Sequence, residues 1–208
     1  MLFRSGSKVS KKQALELKKK FSYLGTELGL IMKVILTDGS QPIGNGIGPA
    51  LEMTDVLHVL QRQDSPKDLE NKSLKLAAAI LEMSGKSKKG HGLKKAKDVL
   101  NSGKAYEKFK QIIEAQKGHV VPLKTAKFTH TILAKKLGKI NLIDNRKINH
   151  LGRLGGCPID KGAGLYLHKH VNDKVKKGDS LVTFYSESEI KLSEMISYYS
   201  ASDPIVIK

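Results

Sequence analysis

The chain has 208 residues, 39% of them hydrophobic and 5% aromatic, with no Trp. That length holds one large domain or two small ones and leaves core packing mostly to Ile, Leu and Val. The formal net charge is +17, from 37 Lys and Arg against 20 Asp and Glu, which favours anionic ligands. The single cysteine, Cys157, excludes an internal disulfide and fits a reducing compartment. Met1-Leu-Phe-Arg is too short an apolar start for a secretory signal. No apolar run reaches the roughly 18 residues of a membrane span. A cytoplasmic protein without a membrane partner is expected.

Taken in chain order, residues 12–28 have helical periodicity, with Leu15, Leu17, Phe21, Leu24 and Leu28 on a broad apolar face. Gly29 marks the stop. Residues 30–36 are an apolar run interrupted by Lys33, which predicts a buried strand. A glycine loop and a helix over 49–61 follow. The turn at Asp64-Ser-Pro introduces a helix over 67–83, and two further helices are expected near 93–102 and 103–116. Helix, strand, helix is the grammar of a parallel α/β layer.

From about residue 125 the composition changes. Short β-like segments are expected at 128–133, 139–143, 164–168 and 181–185, with a hairpin turn in 171–182. Helices are expected at 146–154 and 188–198, and a last strand at 205–207. This reads as an α+β module following an α/β layer, with domains at 1–120 and 121–208.

The most informative stretch is the loop between 34 and 55. Gly44, Gly46 and Gly48 alternate, and Pro49 suits a first helical position. Such a loop is expected to offer free backbone N–H groups at a positive helix end. Its G-x-G-x-G spacing is not the dinucleotide fingerprint.

The wording of the loop is specific. Thr37-Asp-Gly-Ser-Gln-Pro-Ile-Gly and Ile47-Gly-Pro-Ala-Leu-Glu resemble the middle of the thymidine/pyrimidine-nucleoside phosphorylase family, above all its archaeal-type branch with the AMP phosphorylases. Ser102-Gly-Lys-Ala-Tyr-Glu-Lys-Phe and Ile113-Glu-Ala-Gln-Lys-Gly are similar to the end of that family's α/β domain. Asp160-Lys-Gly-Ala-Gly-Leu-Tyr-Leu-His, Val175-Lys-Lys-Gly-Asp and Tyr185-Ser-Glu-Ser are similar to its C-terminal domain. The resemblance runs from about Ser10 to the end. It implies a parallel-sheet α/β phosphorylase domain, then a small α+β domain with a barrel-like part.

The resemblance also implies an activity. The family cleaves a nucleoside or nucleotide with phosphate, giving free base and a (deoxy)ribose 1-phosphate. Phosphate is the co-substrate and no cofactor is required. In the family, the phosphate loop and the Arg, Ser and Lys set around the base lie upstream of the Thr-Asp-Gly-Ser-Gln-Pro motif. Only 37 residues precede Asp38 here. The chain therefore reads as the C-terminal part of such an enzyme, with no catalytic or substrate-binding residue of its own and inactive alone. A split gene, a truncation, a misplaced start or a designed fragment all remain open at this point, as does thymidine against AMP preference. The family implies a homo-oligomer, and a separate N-terminal polypeptide is a candidate partner.

One site carries over from the resemblance. Some family members hold a monovalent cation at this loop, and the matching positions are Ile43, Gly46 and Asp55, with Asp where the family has Glu. The competing reading has Asp55 facing solvent or favouring the first helical turns. Glu52 and Asp55, one turn apart, could face a cleft or pair with lysine, and His58 has no named partner. His168 and His170 share a strand face, but no third metal ligand is readable. Cys157 reads as structural.

The charge supports a runner-up of another class. A stand-alone Lys-rich module could bind RNA or another polyanion. Lysine clusters at 18–20 and 86–97 lack interleaved aromatics, so no base-stacking platform is indicated and nucleic acid is not favoured.

Overall fold

A computed structural model describes residues 9–208. The first helix, α1 (Lys11–Glu27), opens on a capping box: Ser10 Oγ accepts from the Gln13 N–H, and the Ser10 N–H donates to Gln13 Oε1. A run without helix or strand leads to β1 (Gly46–Ile47) and then α2 (Pro49–Leu60). Three more helices follow: α3 (Lys67–Met83), α4 (Gly92–Asn101) and α5 (Lys104–Ala115). The expected boundaries agree to within one or two residues, because capping residues and glycines delimit long apolar periodicities.

The helices share a small core of Val59, Leu74, Ala96 and Leu100. Polar side chains brace it. Glu70 is 9% exposed and takes both a hydrogen bond from Ser65 Oγ (2.7 Å) and the Arg62 guanidinium (2.9 Å). Glu82 Oε1 accepts the Gly90 and Gly92 N–H groups, which otherwise lack partners at the start of α4.

The rest of the chain contributes β2 (Phe128–Leu133), β3 (Gly138–Ile143), α6 (Asn145–Gly155), β4 (Gly164–Leu167), β5 (Lys174–Val175), β6 (Ser180–Ser186), α7 (Glu189–Ser202) and β7 (Ile205–Ile207). The strands form two open antiparallel sheets, ordered β1-β4-β6-β2 and β5-β3-β7. The larger core lies between these sheets and α6 and α7. Ile140, Ile143, Ile148, Leu151, Leu165, Val182, Phe184 and Met195 are fully buried in it. Alternation along β3, where Ile140 and Ile143 point inward and Lys139 outward, follows the strand period apart from a register shift between Ile140 and Leu142.

Two expectations meet a different structure. Residues 30–36 form no strand: the Leu30 N–H closes the end of α1 onto Gly25 O (2.8 Å), no backbone hydrogen bond joins residues 31–36 to a described residue, and Ile31 is 83% exposed. The parallel sheet expected of the first part is likewise not shown. Its described elements are helices, and its one strand, β1, pairs antiparallel with β4 of the later sheet. The barrel-like part takes the form of the two open sheets.

Candidate functional site: the glycine loop

The loop of residues 37–48 crosses from the helices to the antiparallel sheet. Gly46 lies opposite Tyr166, and Ile47 opposite Leu165. The Leu167 N–H donates to Asn45 O (2.7 Å), and the Ala50 N–H donates to Lys161 O (3.1 Å). Ile47 thereby joins the larger core.

Three carboxylates hold the loop from the helical side. Asp55 Oδ2 accepts the N–H groups of Asn45 (2.6 Å) and Gly46 (2.8 Å). Glu52 Oε1 accepts the Gly48 N–H (3.1 Å), and Asp68 Oδ2 accepts that of Gly44 (3.0 Å). The expectation that the loop offers free N–H groups to an anion is therefore overturned at these four residues. Their donors are spent on carboxylates supplied by α2 and α3. A phosphate brought here would meet negative side chains first.

Asp55 is 2% exposed, so it does not face solvent. Burial pushes its carboxyl up from the ordinary range, against the pull of the Gly46 and Asn45 N–H groups and of nearby His58. Glu52 is also pushed up, first by burial, with the Gly48 N–H opposing and Asp55 adding repulsion. The backbone approaches closely at two glycines. A Cβ on Gly46 would collide with the Leu51 carbonyl, and Gly48 adopts φ 125° with Ala163 O against the position a Cβ would take.

Asn45 is the hub on the sheet side. Its Oδ1 pairs with His170 Nε2 (2.8 Å), which places the proton on that nitrogen, and its Nδ2 donates to the Tyr166 hydroxyl (3.2 Å). Gln41 Oε1 accepts the Val171 N–H (2.7 Å), and Gly39 O accepts from Asn145 Nδ2 (2.9 Å). Asn45, Gln41 and Asn145 thus tie the loop to β4, α6 and the segment after β4.

The expected cation ligands are brought together in part. Gly46 and Asp55 touch, but through an N–H and Oδ2, and Ile43 lines a neighbouring cleft. Among the described residues no group of three or more His, Cys, Asp or Glu could hold a metal ion. His168 and His170 do not act as a chelating pair. His168 Nε2 bonds Thr183 Oγ1 (2.8 Å), which in turn bonds Thr131 Oγ1 (2.8 Å), while His170 turns to Asn45. Burial pushes the His168 ring down, and Lys169 adds to this. Cys157 Sγ donates to Ala163 O (3.0 Å), and burial raises the thiol to about 11, so it is protonated and structural.

Two clefts run along α3 and share Asn71 and Lys75 in their linings. One, of about 290 Å³, is lined by Thr37, Asp38, Ser40, Asn71, Lys72 and Lys75. The other, of about 390 Å³, is lined by Lys33, Ile35, Leu74, Ala78, Leu93 and Lys97 among others. In the first, Asp38 Oδ1 accepts the Ser40 N–H (2.9 Å), and that bond together with Lys72 lowers its carboxyl. Sequence reasoning missed Asp68, Asn45, Gln41 and Tyr166 as loop holders. Only Asp68 carried a signal, from its place in the turn that opens α3.

The sheet and the helices around it have a known counterpart. Residues 139–205 match the pyrimidine nucleoside phosphorylase C-terminal domain. The whole chain resembles the C-terminal part of this phosphorylase family. It is 47% identical, over 93% of its length, to a protein named "Putative thymidine phosphorylase" from Legionella pneumophila strain Corby, covering 38% of that protein. It is 44% identical over 94% of its length to an AMP phosphorylase of Pyrococcus horikoshii, covering 40% of it. An AMP phosphorylase of Methanosarcina barkeri is 41% identical over 89% of the chain, which covers 37% of that protein. The chain thus spans about two fifths of the length of these relatives. No described helix is long and apolar enough to cross a membrane. The glycine loop belongs to the part these phosphorylases share with the chain, but lies outside the matched C-terminal domain.

Proposed function

We propose that this chain is the C-terminal part of a cytoplasmic phosphorylase that uses phosphate to cleave a nucleoside or nucleotide. The products are free base and a (deoxy)ribose 1-phosphate, a pentosyl transfer. The observation that carries the reading is the identity of more than 40% across about nine tenths of the chain to proteins named thymidine and AMP phosphorylases. The loop geometry supports a scaffold role. Its amides at Gly44, Asn45, Gly46 and Gly48 are committed to Asp68, Asp55 and Glu52. Donors for phosphate and for the leaving base then come from the polypeptide equivalent to the relatives' other three fifths, and the isolated chain does not turn over.

The test is phosphate-dependent base release from thymidine, uridine and AMP by the purified 208-residue chain. No release alone, and release once that upstream polypeptide is supplied, is the expected result. Release by the chain alone, abolished without phosphate, overturns the scaffold reading.

In this proposal the monovalent cation takes the carbonyls of Ile43 and Gly46 and Asp55 Oδ1, since Oδ2 already holds two N–H groups. A melting temperature that rises in potassium over choline chloride supports it, and equal melting temperatures remove it. The second reading, a Lys-rich polyanion-binding module, rests on the net charge of +17 and on exposed lysines at 86, 88, 89, 94, 95 and 97. Binding to RNA that falls steeply with salt would favour it.

A further inference from the structure

The least satisfied part of the molecule is α1 with the run that follows it. Of the 17 residues of α1 only Gly25 is buried. Leu17, Phe21, Leu24 and Leu28 recur at helical spacing on one face and are 40%, 50%, 48% and 67% exposed. Leu30 and Ile31 continue the apolar surface. Isolated exposed apolar residues need no explanation, but a contiguous set of this kind marks an interaction site.

The backbone of the run points the same way. No backbone hydrogen bond joins residues 31–37 to any described residue. An apolar strand-like sequence with unpaired N–H and C=O groups is a template for strand addition. The run is roughly 20 Å long at strand rise, and α1 about 25 Å at helical rise. The two lengths are commensurate, so one sheet with a helix-covering face could engage both.

The relatives say what such a partner is. About three fifths of each relative lies outside the match, and residues 139–205 match a C-terminal domain, so that remainder lies upstream. We propose that α1 and residues 30–37 are the docking surface for the polypeptide equivalent to the N-terminal three fifths of these phosphorylases. Residues 31–37 add to its sheet as a strand, and Phe21, Leu24, Leu28 and Ile31 bury against its apolar face. The identity of the partner rests on the phosphorylase reading, whereas the surface and its strand-pairing chemistry do not.

The test co-expresses the tagged 208-residue chain with the upstream part of the Legionella relative. Recovery of a 1:1 complex is expected, with amide exchange at 31–37 slowed at least tenfold. Phe21→Asp and Ile31→Asp should each cut recovery at least tenfold. Both residues are exposed, so the melting temperature of the chain alone should not change. Soluble upstream polypeptide recovered without this chain, or a complex indifferent to both substitutions, overturns the proposal. So does a dimer of the chain alone that already protects 31–37. Joining the same upstream segment to the chain in one polypeptide gives a second readout, where unslowed exchange at 31–37 also overturns it. A complex that forms but releases no base keeps the docking surface and removes the phosphorylase activity.

Discussion

Replacing Asp55 with Ala should unfasten the glycine loop. The carboxylate is 2% exposed and is the acceptor for both the Asn45 and Gly46 N–H groups. Alanine leaves those two donors without a partner, at about 1–3 kcal/mol each when buried. Part of that loss is returned, because burying the carboxylate is itself unfavourable, as its raised pKa records. The net expectation is a destabilisation of about 2–3 kcal/mol. Equilibrium urea unfolding measures it, and amide exchange at Asn45 and Gly46 should quicken beyond the global change. A loss under about 0.5 kcal/mol with unchanged exchange at both amides would refute the reasoning, since it would mean that water satisfies these donors equally well.

Other outcomes follow from the same geometry. With its folded pKa raised above the unfolded value, Asp55 binds more protons in the native state, so its contribution to stability is present below the unfolded pKa and is lost as pH rises through the folded pKa. The wild-type chain should therefore lose more stability over that acidic window than Asp55→Asn does, and parallel pH–stability curves would contradict this. Gly46→Ala drives a Cβ into the Leu51 carbonyl and should cost at least about 2 kcal/mol in urea unfolding, and an unchanged midpoint would contradict it. Phe184→Ala removes a fully buried ring from the larger core and should cost about 3–5 kcal/mol, whereas a loss below about 1 kcal/mol would mean the core repacks. Cys157, raised to about 11, should react with a disulfide reagent at pH 7.5 on the order of 100-fold more slowly in the folded chain than in urea, and equal rates would show the thiol accessible.

Much of this protein could be read from its sequence, for a physical reason. The periodicity over 67–83 and the turn signal at Asp64-Ser-Pro are local signals. Helix α3 obeys them because local propensity and burial agree there. The relation to phosphorylases was equally local, carried by short runs such as Thr37-Asp-Gly-Ser-Gln-Pro. Residues 30–36 have the composition of a strand, yet a strand exists only where another backbone pairs with it, and beyond the Leu30 turn onto Gly25 no described residue does. Glycine spacing at 44, 46 and 48 announced a tight loop but not the sign of what fills it. That depended on Asp55, one helix turn beyond Glu52, and on Asp68 from the next helix, which fold back onto the amides. Asn45, His170 and Tyr166 meet across more than 120 residues of chain, since a β1–β4 pairing brings them together. The sequence by itself determined the helices and the kinship, because both are written in neighbouring residues. Only the tertiary structure decided that the loop is held by carboxylates rather than open to phosphate, because hydrogen-bond partners distant in the chain compete for the same few N–H groups.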